Sequence, residues 1–312
     1  MAYQLDPDLL AIMRNAPPRT PALRDDWRAL RDMSDAALAL VDSLLPEHEA
    51  VTRTDWTITS YDGTEIPVRW YDPARDRGVG PAVVYLHGGG MIAGSVAGYD
   101  RFVAGYAVDS DVPFLSVDYR IAPEHPHPTP VEDCFATVSW LLEHANELNV
   151  DPERVAIMGD SSGGGLAAGV ALLSRDRGVA LARQILIYPM LDDRTTVADP
   201  ELAPFAAGWS YDNNYTGWHA LLGDAIGTDD VAASDAPARA TDLSGLPPTY
   251  IDTGDLDIFA NESIDYARRI AATGTNVELH VHPGCPHGFD RIPGLQVAAR
   301  AFADRRRVLR SL

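Results

Sequence analysis

The chain has 312 residues, of which 46% are hydrophobic and 22% charged, a composition typical of globular proteins that excludes wholesale disorder. It carries 25 basic against 45 acidic residues, a formal net charge of −20, so nucleic acid is a poor candidate partner. Every basic residue is an arginine, and the absence of lysine excludes Schiff-base, Walker-type and Ser–Lys chemistry.

Six arginines lie between Arg291 and Arg310, where the last predicted helix ends, so they are expected to complement the helix dipole.

Cys134 and Cys285 are too few for a disulfide framework or a cysteine metal site, and two idle thiols in a reducing compartment are expected. The first residues lack the regions of a signal peptide, and no apolar run is long enough to span a membrane. We therefore expect a soluble, cytoplasmic protein with no membrane partner.

The pattern of apolar residues changes along the chain from helical spacing to strands that alternate with helices. Residues 6 to 50 have helical spacing. The predicted elements that follow are, in chain order, strands Thr54–Tyr61, Glu65–Tyr71, Ala82–Leu86 and Pro113–Val117, helix Pro130–Leu148, strand Arg154–Met158, helix Ser161–Ser174, strands Gln184–Ile187 and Thr249–Asp252, helix Glu262–Ala272, strand Val277–His282 and helix Leu295–Leu309. This alternation predicts a doubly wound, mostly parallel sheet that begins with a hairpin at Asp62-Gly63.

Two segments do not fit this alternation. We expect residues 1–50 to form the N-terminal part of a helical cap and residues 51–312 to form the catalytic domain, with an insertion at 190–246 that contributes to the cap. The insertion carries an aromatic cluster that is expected either to form the cap core or to line a pocket. Its members are Trp209, Tyr211, Tyr215 and Trp218.

Gly159-Asp160-Ser161-Ser162-Gly163 follows an apolar strand and opens a helix rich in small residues. A nucleophilic serine needs a sharp strand-to-helix turn, and glycine on both sides lets the backbone close without a Cβ clash. A loop with an N-capping serine is the structural alternative. The strand before the motif and the helix after it favour Ser161 as a nucleophile.

His87-Gly88-Gly89-Gly90 ends the third predicted strand. Consecutive glycines expose backbone N–H groups, which can stabilise an anion that develops on a carbonyl oxygen. The alternative is a phosphate loop, because Gly88-x-Gly90-x-x-Ala93 and Gly163-x-Gly165-x-x-Ala168 loosely match a dinucleotide fingerprint. Further glycines interrupt the first match where a long helix should follow, and the second lies inside a helix, so no nucleotide cofactor is predicted.

Two loops after late strands, Thr253–Asp257 and Pro283–Phe289, supply carboxylates and an imidazole. With Ser161 they complete the order Ser, Asp, His, which is expected for α/β-hydrolases and not for the two other serine protease architectures. Asp252 is predicted to remain in its strand. An acid that orients His287 must project beyond the strand end, which leaves Asp255 and Asp257 as the better candidates.

Together these motifs resemble the bacterial esterases related to hormone-sensitive lipase (family IV), a branch of the α/β-hydrolases with an N-terminal helical cap. The resemblance rests on His87-Gly88-Gly89-Gly90, Asp118-Tyr119-Arg120-x-Ala122-Pro123-Glu124, Gly159–Gly163, Leu246-Pro247-Pro248, Gly254-x-x-Asp257 and His287-Gly288-Phe289. It implies an α/β-hydrolase fold, in which a mostly parallel central sheet is flanked by helices and covered by a helical cap.

The resemblance also implies the roles of individual residues. The nucleophile would be Ser161, its base His287, and the acid that orients the base Asp257. The N–H groups that form the oxyanion hole would be those of Gly88, Gly89 and Ser162. The expected reaction is ester hydrolysis through an acyl-enzyme on Ser161, without a cofactor. Related esterases often dimerise through their last strand and helix, which leaves a homodimer open.

Three departures from the family pattern put the shape of the acyl pocket, not the triad, in question. They are Ser162 where alanine is usual, Met91 where an aromatic residue is common, and Ile258–Asn261 in place of Pro-Leu-x-Asp.

His280-x-His282 and His125-x-His127 have the spacing of paired imidazole ligands, but the sequence offers no evident third ligand, so no metal is predicted. Cys285 lies beside His287 without a base of its own and is expected to be a bystander.

A packed cap would close the acyl side of the pocket, and an acidic surface would be repelled by anionic interfaces. The expected substrate is therefore a small-molecule, short-chain acyl ester. The same triad could instead cleave amides or lactones, and a non-catalytic ligand-binding protein is the alternative from another class. The intact His287-Gly288-Phe289 segment argues against the non-catalytic alternative. Dehalogenase and epoxide-hydrolase chemistry is disfavoured because those α/β-hydrolases carry Asp where Ser161 stands.

Overall fold

The computed structural model describes residues 3–14, 22–73, 78–206, 208–292 and 294–312. The strands of its central sheet are β1 Thr52–Thr59, β2 Glu65–Asp72, β3 Gly80–Leu86, β4 Phe114–Val117, β5 Val150–Asp160, β6 Arg183–Ile187, β7 Thr249–Gly254 and β8 Val277–His282. The α-helices of the described residues are α1 Pro7–Met13, α2 Trp27–Leu44, α3 Asp100–Ser110, α4 Thr129–Glu143, α5 Ser162–Asp176, α6 Tyr211–Leu222, α7 Ala260–Ala272 and α8 Gln296–Arg310.

The eight strands lie in the order β1-β2-β4-β3-β5-β6-β7-β8. β2 pairs antiparallel with β1 and with β4, whereas every later pair of neighbours is parallel. The hairpin closes at Thr59 opposite Glu65, and the Thr64 N–H donates to Asp62 Oδ1 at 3.0 Å in the turn. The predicted mostly parallel sheet with an initial hairpin is therefore confirmed.

Helices cover both faces of the sheet, as the apolar runs of the parallel strands require. Along β3, Val84 and Leu86 join one hydrophobic core, and Val83 and Tyr85 join the core on the opposite face. All four side chains are buried. Alternate residues of a strand point to opposite faces, so a continuous apolar run serves two cores at once.

Apart from α6, which lies in the insertion where no individual helix was predicted, two helices differ clearly from the sequence prediction. α4 ends at Glu143, five residues before the predicted end, and α3 was not predicted at all. Gly105 lowers the intrinsic helix propensity of α3. Phe102 and Tyr106 are nevertheless buried on one side of this helix, because tertiary packing of an apolar face contributes more to helix stability than propensity does.

The N-terminal segment touches the 190–246 insertion through polar contacts to α6. The Asp25 N–H donates to Thr216 Oγ1 at 2.8 Å, and Asp25 Oδ1 lies 2.6 Å from His219 Nδ1. Arg24 and Asp212 form an ion pair at 3.0 Å. Two parts of the chain that are almost two hundred residues apart therefore meet at one surface.

The parallel strands all end at the same edge of the sheet, where the connecting loops of an open α/β fold form their binding sites. β3 leads into His87–Gly90, called the glycine loop below. β5 leads into Ser161, β7 into Asp257, and β8 into the loop of His287. Within the described residues, no helix is both long and apolar enough to cross a lipid bilayer.

Candidate active site

Ser161 occupies the turn between β5 and α5 with φ 56° and ψ −121°, an unusual backbone conformation for a residue with a side chain. Such a conformation costs about 1–3 kcal/mol and must be held by its surroundings. The Ser161 N–H donates to the carbonyl of Ile187 on β6 at 2.8 Å. A Cβ on Gly163 would overlap the Leu86 carbonyl of β3, so the close approach predicted for this glycine is present.

The side chains of Ser161, His287 and Asp257 contact one another in that order at the carboxyl edge of the central sheet. Ser161 Oγ lies 2.9 Å from His287 Nε2, and His287 Nδ1 lies 2.7 Å from Asp257 Oδ2. The second carboxylate oxygen of Asp257 accepts the Phe259 N–H at 2.9 Å. Because a carboxylate can only accept here, Nδ1 carries the proton and Nε2 is free to accept one from Ser161.

The structure separates the three carboxylates that are close together in the sequence. Asp252 stays inside β7, where it is bonded to Arg305 and Tyr250. Asp255 Oδ1 accepts the Gly284 N–H at 2.6 Å and supports the loop that carries the histidine. Of the three, only Asp257 is bonded to His287 among the described contacts.

The imidazole of His287 is held between two aromatic rings. Tyr188 and Phe259 meet it edge to face, with ring centroids 4.9 Å and 5.0 Å away. The side chain of His287 is only 10% exposed. Its orientation toward Ser161 is therefore set by packing as well as by Asp257.

The three predicted oxyanion donors differ in their hydrogen bonds. The Gly88 N–H donates to Tyr99 Oη at 3.1 Å, so it is already engaged inside the protein. Within the described residues, the N–H groups of Gly89 and Gly90 have no hydrogen-bond partner. Ser162 is the first residue of α5, where an N–H has no partner within the helix. Of the three predicted donors, the Gly88 N–H is thus the one that has a partner among the described contacts.

Residues of the Asp118–Glu124 motif contact the glycine loop and the segment that follows it. Tyr119 Oη donates to the His87 carbonyl at 2.7 Å, and the two rings stack with centroids 4.2 Å apart. Asp118 Oδ1 accepts the Val96 N–H at 2.9 Å. Burial lowers the pKa of His87, so its ring is neutral and acts as packing beneath the loop.

The expectation for the arginine cluster is wrong for two of its members. Arg305 is completely buried and bonds Asp252 and Asp290, and Arg291 forms an ion pair with Asp160, which directly precedes Ser161. Burial of a guanidinium is tolerated here because each has carboxylate partners. Sequence spacing could not reveal this, since the partners Asp252 and Asp160 come from distant strands.

His280 has partners that the sequence did not suggest. Glu278 and Asp304 lie beside it, and one candidate ligand atom of each of the three lies within 4.8 Å of the others. Arg307, however, donates to both carboxylate oxygens of Glu278 and supplies a counter-charge. His282 is not part of this cluster. The group is therefore an ion-paired patch at the sheet edge.

The aromatic cluster of the insertion is largely buried. Trp209, Tyr211 and Trp218 belong to the hydrophobic core, whereas Tyr215 stacks on His219. Trp209 also lies directly against Gly90, because a Cβ at that glycine would overlap the indole ring. The cluster is packed as a core, and one of its members contacts the glycine loop.

Known proteins resemble this chain in sequence and in fold. A family model described as the alpha/beta hydrolase fold matches residues 83–291. Carboxylesterase NlhH of Mycobacterium tuberculosis is 38% identical over 255 residues, which cover 79% of this chain and 77% of that protein. Ethyl acetate hydrolase of Pseudomonas putida is 30% identical over 298 residues, 92% of each chain. The structure of a bacterial heroin esterase matches with a TM-score of 0.89 at 34% identity, over 99% of this chain and 98% of that one. The chain belongs to the α/β-hydrolase fold family, in the group of carboxylic ester hydrolases related to hormone-sensitive lipase.

Proposed function

We propose that the protein is a serine carboxylesterase that hydrolyses short-chain acyl esters through an acyl-enzyme on Ser161. The observation that carries the proposal is the continuous line of contacts from Ser161 Oγ through His287 to Asp257, at 2.9 Å and 2.7 Å. The backbone strain at Ser161 supports it, because strain of this kind is stored at functional turns.

In the proposed reaction, His287 Nε2 takes the proton of Ser161 as Oγ attacks the ester carbonyl carbon. Asp257 keeps the imidazole in the correct tautomer and stabilises its positive charge. The tetrahedral intermediate collapses, and the alcohol leaves with the proton from His287. Water then repeats the sequence on the acyl-enzyme and releases the acid and free Ser161.

Negative charge that develops on the carbonyl oxygen needs donors without other partners. We assign this role to the N–H groups of Gly89 and Ser162, and we replace Gly88 by Gly90, whose N–H has no partner within the described residues. Loss of one such donor typically lowers kcat by about two to three orders of magnitude.

The preference for short acyl chains rests on the closed surroundings of the glycine loop. We propose that residues 1–50 and the 190–246 insertion form one cap, since Asp25 is bonded to Thr216 and His219 of α6. Trp209 lies against Gly90, and Met91 is fully buried next to it. One relative is named for hydrolysis of ethyl acetate, which is a short acyl ester.

The test is a panel of p-nitrophenyl esters from acetate to laurate, with anilides and lactones assayed on the same preparation. We expect kcat/KM to be highest for acetyl to butyryl esters, with no jump in rate when the substrate exceeds its solubility. Ser161→Ala should abolish turnover and labelling by a fluorophosphonate while the fold is retained. Turnover at the wild-type rate in this variant would refute the mechanism, and interfacial activation on long-chain emulsions would refute the closed cap.

A further inference from the structure

Tyr99 connects two of the loops that surround the site. Its ring is buried, and its hydroxyl accepts the Gly88 N–H at 3.1 Å. The same hydroxyl donates to Asp160 Oδ2 at 3.3 Å. Burial raises the pKa of Tyr99, so the hydroxyl keeps its proton and can both donate and accept.

Asp160 extends this connection to the nucleophile and to the histidine. It directly precedes Ser161, and it also accepts a hydrogen bond from Tyr85 Oη at 2.5 Å. Arg291, four residues after His287, forms an ion pair with Asp160 and places its guanidinium 4.5 Å from the centre of the Tyr99 ring. Three loops that carry proposed catalytic groups therefore meet at one buried network.

The element that carries Tyr99 is itself anchored. Tyr99 ends a short 3-10 helix and is followed by Asp100, the first residue of α3. The Asp100 carboxylate is bonded by Arg53 and Arg69, each at 2.9 Å, and by Tyr71 at 3.0 Å. The residue that follows Tyr99 is thus anchored to the strands β1 and β2, outside the loops that the Tyr99 hydroxyl contacts.

The glycine loop needs such an external support. Three consecutive glycines have little conformational preference of their own, so hydrogen bonds from outside must select one conformation. The Gly88 N–H belongs to the planar peptide unit that joins His87 to Gly88, and the carbonyl of that unit accepts from Tyr119 Oη at 2.7 Å. Fixing both ends of this unit sets the position of the Gly88 Cα, from which the peptide that carries the Gly89 N–H continues. The structure supplies the bond of the Gly88 N–H from a side chain that is neither in the loop nor in the triad.

We propose that Tyr99 is a positioning residue for the oxyanion hole. Its hydroxyl holds Gly88 so that the next amides face the developing oxyanion. Asp160 and Arg291 couple Tyr99 to the turns that carry Ser161 and His287. This inference rests on the proposed esterase function. Donors displaced by a fraction of an ångström stabilise the transition state less but bind the ground state almost equally.

The first test is Tyr99→Phe, which removes one oxygen atom. Activity is expressed per active site after titration with a fluorophosphonate. We expect kcat to fall by about 10- to 100-fold with KM changed by less than about twofold. The affinity for an alkylboronic acid, which forms a tetrahedral adduct on Ser161, should fall by the same factor as kcat.

Tyr266→Phe is the matched control, because Tyr266 is a buried tyrosine of α7 whose hydroxyl has no partner within the described residues. This variant should keep the kcat and boronate affinity of the wild type. The proposal is overturned if Tyr99→Phe behaves like the wild type, if Tyr266→Phe loses as much activity, or if KM changes while boronate affinity does not.

A second measurement needs no variant and covers the case in which Tyr99→Phe does not fold. By NMR, the Gly88 amide of the wild-type protein should exchange slowly with and without the boronic acid, whereas the Gly89 amide should be protected only in the complex. Fast exchange at Gly88 in the free protein would contradict the proposal. If the wild type is not labelled at Ser161 at all, the esterase function fails instead.

Discussion

The contacts of Asp257 lead to a quantitative prediction for Asp257→Asn. One carboxylate oxygen accepts the His287 Nδ1–H at 2.7 Å, and the other accepts the Phe259 N–H at 2.9 Å. Asparagine has a single acceptor oxygen. If that oxygen keeps the Phe259 bond, the amide NH₂ faces Nδ1, and the proton of the ring moves to Nε2, where it blocks proton transfer from Ser161.

We expect Asp257→Asn to lower kcat by about four orders of magnitude, equivalent to about 5 kcal/mol of transition-state stabilisation. The assay is release of p-nitrophenol from the butyrate ester, with thermal unfolding measured to show that the variant is folded. The opposite amide rotamer would set the NH₂ group against the Phe259 N–H and leave two buried donors without an acceptor. Each costs about 1–3 kcal/mol in addition to their mutual repulsion, so this rotamer offers little rescue.

Asp255→Asn is the matched control. Asp255 Oδ1 accepts the Gly284 N–H at 2.6 Å, and an asparagine oxygen can keep that bond. We expect a loss of less than about tenfold in kcat, since the loop is supported but the tautomer of His287 is unaffected. The assignment of the acid would be refuted if Asp257→Asn retained a tenth of the activity, or if Asp255→Asn were the more damaging variant.

Three further predictions follow from buried groups and from the cap. Arg305→Met removes the cation that bonds the buried carboxylates of Asp252 and Asp290, so the free energy of unfolding, measured with urea, should fall by about 3–5 kcal/mol. The exposed Arg300→Met on the same helix should change it by less than about 0.5 kcal/mol, and equal losses would contradict this account. Burial raises the pKa of Cys285 to about 12, so the native protein should not react with a disulfide reagent at pH 8, and fast modification with loss of activity would show that the thiol is not a bystander. Deletion of residues 1–45 should expose the apolar cap surface and lower solubility and activity together, and a soluble, fully active truncated protein would remove the N-terminus from the cap.

Much of the fold, and the loops that carry the residues of the proposed triad, could be predicted from the sequence because the signals are local. The hairpin turn, the apolar strands and the glycine-flanked Ser161 each depend on neighbours within a few residues, and backbone sterics act at that range. The spacing of motifs then indicated where the loops follow strands. α3 escaped prediction because Gly105 weakens its local helix signal, which packing overrides.

The partners of buried charges could not be read from the chain. The arginines near the C-terminus look alike in sequence, yet Arg305 lies in the core beside Asp252, which is 53 residues away, and Arg291 lies beside Asp160, 131 residues away. A charged side chain can be buried only where the fold brings an opposite charge to it. That juxtaposition is a property of the packed sheet.

The same distinction between local and distant contacts applies to Ser161 and to the proposed oxyanion hole. Ser161 is marked by the residues next to it, because a strained turn needs glycine at defined positions. Which N–H group of the glycine loop lacks a partner depends instead on the position of the Tyr99 hydroxyl, which accepts the hydrogen bond of the Gly88 N–H. Local sterics act through the covalent chain and are written in the sequence, whereas hydrogen bonds between distant segments exist only after the tertiary structure has placed donor and acceptor about 3 Å apart.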